Sequence, residues 1–212
     1  MSLCIPRDEV LRYLGGAPEI PELGRLVDSV LEELSREVCP RSAVRRVSLQ
    51  TGEDFVEILG LRLLSRALAS SLAGCESGYL IAATLGTQAD MLLRRYMAVD
   101  LPRAAVVQAA CAAMLEAFLD QLCGQLNADE RENDLFLLPR FSPGYGDWDL
   151  REQGKIFALM DLPRRLGVTL TQSFMMLPEK SVTALAGLGK APHCPQSSCG
   201  NCEKTDCAFR RS

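Results

Sequence analysis

Residues 168–188 read Val-Thr-Leu-Thr-Gln-Ser-Phe-Met-Met-Leu-Pro-Glu-Lys-Ser-Val-Thr-Ala-Leu-Ala-Gly-Leu. From Val168 to Met175 the side chains alternate. Val168, Leu170, Gln172 and Phe174 fall on one side, and Thr169, Thr171, Ser173 and Met175 on the other. A period of two marks extended chain, because successive side chains of a strand point to opposite faces. Pro178-Glu179-Lys180 interrupts the run, and Ser181–Leu188 resumes it as a second, largely apolar extended segment. The two segments predict a hairpin, or two sheet strands joined by a tight loop.

What precedes them is mostly helical. Asp149 and Glu152 have N-cap and N3 spacing ahead of Ile156, Phe157 and Met160, a helix-start signal. Pro102 opens the longest helix, with a stripe of Val107, Cys111, Leu115, Phe118, Leu122 and Leu126 among alanines that permit close packing. Thr87 and Asp90 repeat the capping-box spacing before Met91, Leu92 and Tyr96. Tyr79–Leu85, bounded by Gly78 and Gly86, is too short for a helix and reads as a buried strand. Leu61, Leu64, Leu68 and Leu72 mark an amphipathic helix stopping at Gly74, while Ala43–Leu49 and Phe55–Leu59 form a strand pair about Thr51-Gly52. Pro6–Leu14 and Pro21–Val38 are helical, the second ended by Pro40. The charged segment Asp129–Asp134 reads as a solvated loop.

Helices first and in the middle, with strands between them and at the end, give an α+β fold rather than a regular βα alternation. The organisation follows as an N-terminal helical arm over residues 1–40, a main domain over 41–190 and a cysteine-rich tail over 191–212. At 212 residues, 48% hydrophobic and 24% charged, the chain suits one sizeable core. A net charge of −4 gives no general pull toward nucleic acid or a membrane. No continuous apolar run approaches the roughly 18–20 residues of a membrane span. The N-terminus lacks a signal peptide's layout, so the expected compartment is the cytoplasm.

The missing motifs narrow the chemistry. There is no GxxxxGK[ST] loop, no GxGxxG after a strand and no HExxH. The sole histidine, His193, has no triad around it, which argues against conventional hydrolase chemistry. Nine cysteines cannot all pair with one another, and Cys194, Cys199, Cys202 and Cys207 crowd into fourteen residues. Thiolates that dense repel unless protonated, oxidised or bridged by a cation, so the four predict a zinc or iron–sulfur centre. Free thiols in an unstructured tail are the alternative.

Residues 140–148, Arg-Phe-Ser-Pro-Gly-Tyr-Gly-Asp-Trp, hold two glycines, a proline, an arginine and three aromatics, including the only tryptophan. Such a loop is either a stiff structural turn or a ligand site. Arg140-x-x-x-Gly144-Tyr145 resembles the S-adenosylmethionine-binding RxxxGY signature of the reactivation domain of cobalamin-dependent methionine synthase. A second block, Leu170–Pro178 with Ser181-Val182, is similar to that domain's LTxSxxMxPxxSVS segment, in the same order and at about the same separation. The resemblance covers residues 135–189 and extends, without a sharp motif, back to about residue 40.

The resemblance implies a bent antiparallel sheet packed with helices and an accessory role in reductive methylation of oxidised cobalamin. S-adenosylmethionine would supply the methyl group, and a flavodoxin- or ferredoxin-like donor the electron. It implies ligand binding by Arg140, Pro143, Gly144, Tyr145 and Gly146; Phe141 and Trp148 either wall the pocket or face the sulfonium, or serve as core packing, the preferred reading. No DxHxxG motif is present to bind cobalamin through a histidine. The corrinoid would therefore sit on a separate partner, either a corrinoid protein or a cobalamin-dependent methionine synthase. The alternative function is a metal-binding interaction or redox module with no S-adenosylmethionine activity.

Overall fold

The computed structural model describes Leu3, residues 5–16 and residues 20–190. Helices α1 (Arg7–Tyr13) and α2 (Pro21–Glu37) come first, then strands β1 (Arg41–Ser48), β2 (Gln50–Thr51), β3 (Phe55–Ile58) and β4 (Leu61–Leu64). Helix α3 (Arg66–Ser71), strand β5 (Ser77–Thr84) and helices α4 (Thr87–Val99) and α5 (Leu101–Arg131) follow. The last part holds β6 (Phe136–Leu137), a 3-10 turn (Leu150–Glu152), α6 (Gln153–Met160), α7 (Leu162–Leu166), β7 (Thr169–Leu170), β8 (Met176–Leu177) and β9 (Ser181–Gly189). The class is α+β, as the element order predicts. Among the described residues the chain forms two compact units, one of residues up to Pro40 with Leu85–Asp120, the other of Arg41–Thr84 with Gln121 onward.

The first unit is helical. Pro21 opens α2 at its first position, where a missing N–H costs nothing, and Val27, Val30 and Leu34 form its buried stripe. Thr87 does not cap α4: the residue before the helix is Gly86, at φ 78 and ψ 178, a backbone region open to glycine. The chain thus enters the helix one residue before a Thr87 cap would begin it. Asp100 caps α5, its carboxylate accepting from the Arg103 N–H at 3.0 Å. An 18-residue stretch of α5 is apolar enough to cross a membrane by length and composition, but half of it is buried in the protein, as in a core helix.

Glu33, 8% exposed, ties this unit together. It accepts from Arg95 at 2.5 Å, from Arg103 at 2.7 Å and from the Tyr96 hydroxyl at 2.8 Å. Burial opposes its ionisation, but these donors win and hold the carboxyl below its ordinary range.

The second unit is built on an antiparallel sheet ordered β1-β5-β9-β6. Ala43 lies opposite Ala82, and Leu80 opposite Leu185. These residues, with Val47, face a core that also takes Leu68, Leu72, Trp148, Ile156, Phe157 and Met160 from the covering elements. Gly78 and Gly187 pair across the sheet. A Cβ at Gly187 would lie 2.7 Å from Cys75 Sγ and from Leu72 Cδ2, so the close approach of that segment requires glycine.

Several expected pairings are corrected. β1 pairs with β5 and not with β3, because Ala43 and Val47 bury against Leu80 and Ala82, whereas β3 joins a separate sheet ordered β2-β3-β4. The leucine run 61–72 is not one helix. Leu59 (φ 50) and Gly60 (φ 80) form a two-residue reversal, so Leu61–Leu64 returns as β4 and only Arg66–Ser71 is helical. Ser65 separates the two, its side chain accepting from the Leu68 N–H.

Val168–Met175 is likewise not one strand. β7 and β8 pair with each other across a turn in which the Thr171 N–H donates to the Met175 carbonyl and Phe174 sits at φ 62. β9 pairs with β5 instead. The charged segment from Asp129 begins inside α5, and Glu130 is 5% exposed rather than solvated. It accepts from Arg46 at 2.9 Å and from the Tyr79 hydroxyl at 2.6 Å.

Candidate functional site

Loop 140–148 follows the edge of the main sheet. Phe141 exchanges two backbone hydrogen bonds with Leu185 of β9, both 2.9 Å, which fixes the start of the loop. Two tight turns come next: the Tyr145 N–H donates to the Ser142 carbonyl at 3.2 Å, and the Trp148 N–H to the Tyr145 carbonyl at 3.0 Å. A 2.7 Å bond from the Gly144 N–H to the Trp148 carbonyl closes the loop on itself. Gly144 (φ 91) and Gly146 (φ 55) are the left-handed residues that such successive turns need.

The aromatics divide by burial. Trp148 is 1% exposed and belongs to the core, with Phe141 beside it at a ring-centroid distance of 6.1 Å. Tyr145, three residues earlier, is 69% exposed. The buried indole and the pairing of the Phe141 backbone with Leu185 anchor the loop at both ends and leave its tip presented to solvent. Pro143 is buried beneath that tip. Arg140 is half-buried, and its Nη1 donates to Cys123 Sγ at 3.5 Å.

Asp147 holds the tip from the side. Its Oδ1 accepts from the Ser65 hydroxyl at 2.5 Å and the Ala67 N–H at 3.1 Å, and its Oδ2 from the Arg66 N–H at 2.9 Å. The Ser65 hydroxyl, followed by the two amides, keeps the carboxyl below its ordinary range. Downstream, Asp149 accepts from the Arg151 N–H and caps the 3-10 turn. The Arg151 side chain drives the Asp149 carboxyl down to about 2.

The second block reaches the same region through Gln153, the first residue of α6. Gln153 is 2% exposed; its Nε2 donates to the Phe174 carbonyl at 2.7 Å and its Oε1 accepts from the Thr183 hydroxyl at 3.2 Å. A Cβ on Gly154 would lie 3.7 Å from the Phe174 ring, so that ring passes over the helix start. Thus both blocks are attached to the first half of β9, one at Leu185 and the other by way of Thr183.

Arg140, Pro143, Gly144, Tyr145 and Gly146 therefore occupy one continuous surface loop. Cys194, Cys199, Cys202 and Cys207 lie outside the described residues. Among the described residues no group of three or more His, Cys, Asp or Glu is arranged to hold a metal. Sequence reasoning passed over Asp147, Ser65, Gln153 and Glu130. Ser65 and Asp147 stand 82 positions apart, and neither carries a local signal of the other.

The family model described as "Vitamin B12 dependent methionine synthase, activation domain" matches residues 76–208, more than half of the chain. The match begins just before β5 and runs through the four clustered cysteines. Comparison with curated proteins gives no match. Among solved structures, a crystal structure of the MetH reactivation domain bound to AdoHcy has a similar fold, with a TM-score of 0.63 at 21% identity. The superposition covers 78% of this chain and 64% of that one.

Proposed function

This chain belongs to the vitamin B12 dependent methionine synthase activation-domain family, and from that premise we propose that residues 140–146 bind S-adenosylmethionine. The observation that carries the reading is Tyr145, an aromatic 69% exposed on a loop anchored at both ends, with a left-handed glycine on each side. A large exposed ring on rigid backbone suits stacking against a planar base. The glycines allow main-chain amides and carbonyls to approach a ribose or adenine edge without a Cβ in the way. Arg140 supplies a planar guanidinium, the geometry that pairs bidentately with a ligand carboxylate. Pro143 fixes the backbone between them. The solved domain of similar fold is bound to AdoHcy, which is S-adenosylmethionine without its methyl group.

The reaction served is reductive methylation of cobalamin carried by a separate corrinoid protein or methionine synthase. A flavodoxin- or ferredoxin-like protein delivers the electron. Bound cobalamin supplies the metal that accepts the methyl group after one-electron reduction. This chain's residues hold the ligand's carboxylate and adenosine so that the sulfonium methyl is presented outward, and they exclude water from the loop side.

The protein is incubated with hydroxocobalamin, titanium(III) citrate and methyl-labelled S-adenosylmethionine. Label entering cobalamin faster than in a protein-free control, and no faster than that control with Arg140→Ala, is the expected result. Equal rates with and without the wild-type protein, beside an absence of ligand binding, would refute the reading.

A further inference from the structure

We infer that Asp147 is a positioning residue for the ligand loop: its clamp on the start of α3 holds Gly144–Gly146 in place and thereby sets affinity for S-adenosylmethionine. The inference rests on the proposed ligand site. It adds a residue that neither sequence block contains and that bonds to an element 80 positions earlier in the chain.

Three observations carry it. The first is that the carboxylate is occupied. Oδ1 takes two donors, the Ser65 hydroxyl and the Ala67 N–H, and Oδ2 takes the Arg66 N–H. With both lone pairs of Oδ1 spent and Oδ2 turned to α3, Asp147 acts on the helix start rather than on a ligand. The Ser65 oxygen in turn accepts from the Leu68 N–H at 2.9 Å, so four donors at this helix start are satisfied by two side chains.

The second is position. Asp147 lies between Gly146 and the buried Trp148. A Cβ on Gly146 would stand 3.0 Å from the Ala67 Cβ, so the loop already touches α3 at the clamp. The third is contrast within the loop. Phe141 and Trp148 are held by the sheet and the core, while the residues between Pro143 and Trp148 are exposed. In that exposed stretch Asp147 is the side chain bonded to another element, and releasing it frees the tip without removing the anchors at either end.

The experiment measures S-adenosylmethionine affinity by calorimetry on the full chain as wild type, Asp147→Asn, Asp147→Ala and Ser65→Ala, with thermal melts alongside. Trp148, the only tryptophan, reports the loop directly through acrylamide quenching of its fluorescence. Asparagine keeps an acceptor for Ser65 and Ala67 but turns an N–H toward the Arg66 amide, so the losses are graded. Affinity falls about tenfold in Asp147→Ala, the equivalent of one charge-assisted hydrogen bond, and less in Asp147→Asn. Ser65→Ala, which leaves the carboxylate in place, also weakens binding, and quenching rises in the same order before any ligand is added.

If all three variants bind like the wild type while Arg140→Ala has lost binding, the clamp is refuted and the ligand site stands. If Ser65→Ala binds like the wild type while Asp147→Ala does not, Asp147 contacts the ligand itself and the positioning role is refuted. If wild-type protein does not bind, the ligand site fails and the clamp's role fails with it.

Discussion

The helix junction around Glu33 and the loop around Tyr145 treat their polar and aromatic groups in opposite ways. At Glu33 a buried carboxylate is enclosed by Arg95, Arg103 and the Tyr96 hydroxyl, and the Arg95 and Arg103 guanidinium groups lie 4.7 and 4.8 Å from the centre of the Tyr96 ring. The carboxylate oxygens and the Tyr96 hydroxyl there are turned toward one another or toward an arginine, although the buried Arg103 Nε has no hydrogen-bond partner among the described residues. At the loop the anchoring groups are turned inward, but a whole aromatic ring and the backbone of two glycines face out. Buried networks whose groups bond mostly to one another serve structure. Rigid backbone that presents unsatisfied surface is the mark of a binding loop.

Removing Glu33 tests the closed cluster and has the largest effect on folding. Glu33→Ala leaves Arg103, whose side chain is 19% exposed, without its carboxylate, and stability falls by about 2–3 kcal/mol. A urea titration measures that loss, and S-adenosylmethionine affinity of the folded variant stays at the wild-type value. Gly146→Ala tests the open loop. A Cβ at φ 55 and 3.0 Å from Ala67 costs about 1–2 kcal/mol of stability, while ligand affinity drops by a larger factor because the tip moves.

The smallest effect comes from a second closed cluster, Tyr79–Glu130–Arg46. Burial, and then donation to Glu130, push the Tyr79 hydroxyl up to about 12. The folded protein therefore keeps a proton that the unfolded chain releases near pH 10. Its contribution is full below pH 10 and is lost as pH rises toward 12. Thermal melts of wild type fall more steeply across that window than those of Tyr79→Phe.

Helices α2 and α5 and strand β5 were legible in sequence because burial alone sets their pattern: a stripe at 3.6 residues, or a short apolar run between glycines. Pairing was not. Leu61, Leu64, Leu68 and Leu72 keep a helical spacing, but the reversal at Leu59-Gly60 decides their structure, and a left-handed leucine leaves no trace in periodicity. The alternation over Val168–Met175 is real, yet the Thr171–Met175 turn folds it back within itself. The proposed ligand loop stands out by its composition. Its clamp does not, since Asp147 and Ser65 meet only when β4 and α3 are packed. Glu130 misled for a similar reason: a charge in an acidic run looks solvated until Arg46 and Tyr79 arrive from the sheet.

The central claim, that Arg140–Gly146 is a ligand loop, is tested most directly by calorimetric titration of the full chain with S-adenosylmethionine, wild type beside Arg140→Ala. Saturable binding by wild type and a loss of about a hundredfold in the variant are expected, the cost of one bidentate guanidinium–carboxylate pair, with the variant still showing a cooperative thermal melt. Equal heats of binding in the two proteins, or none in either, would contradict the claim.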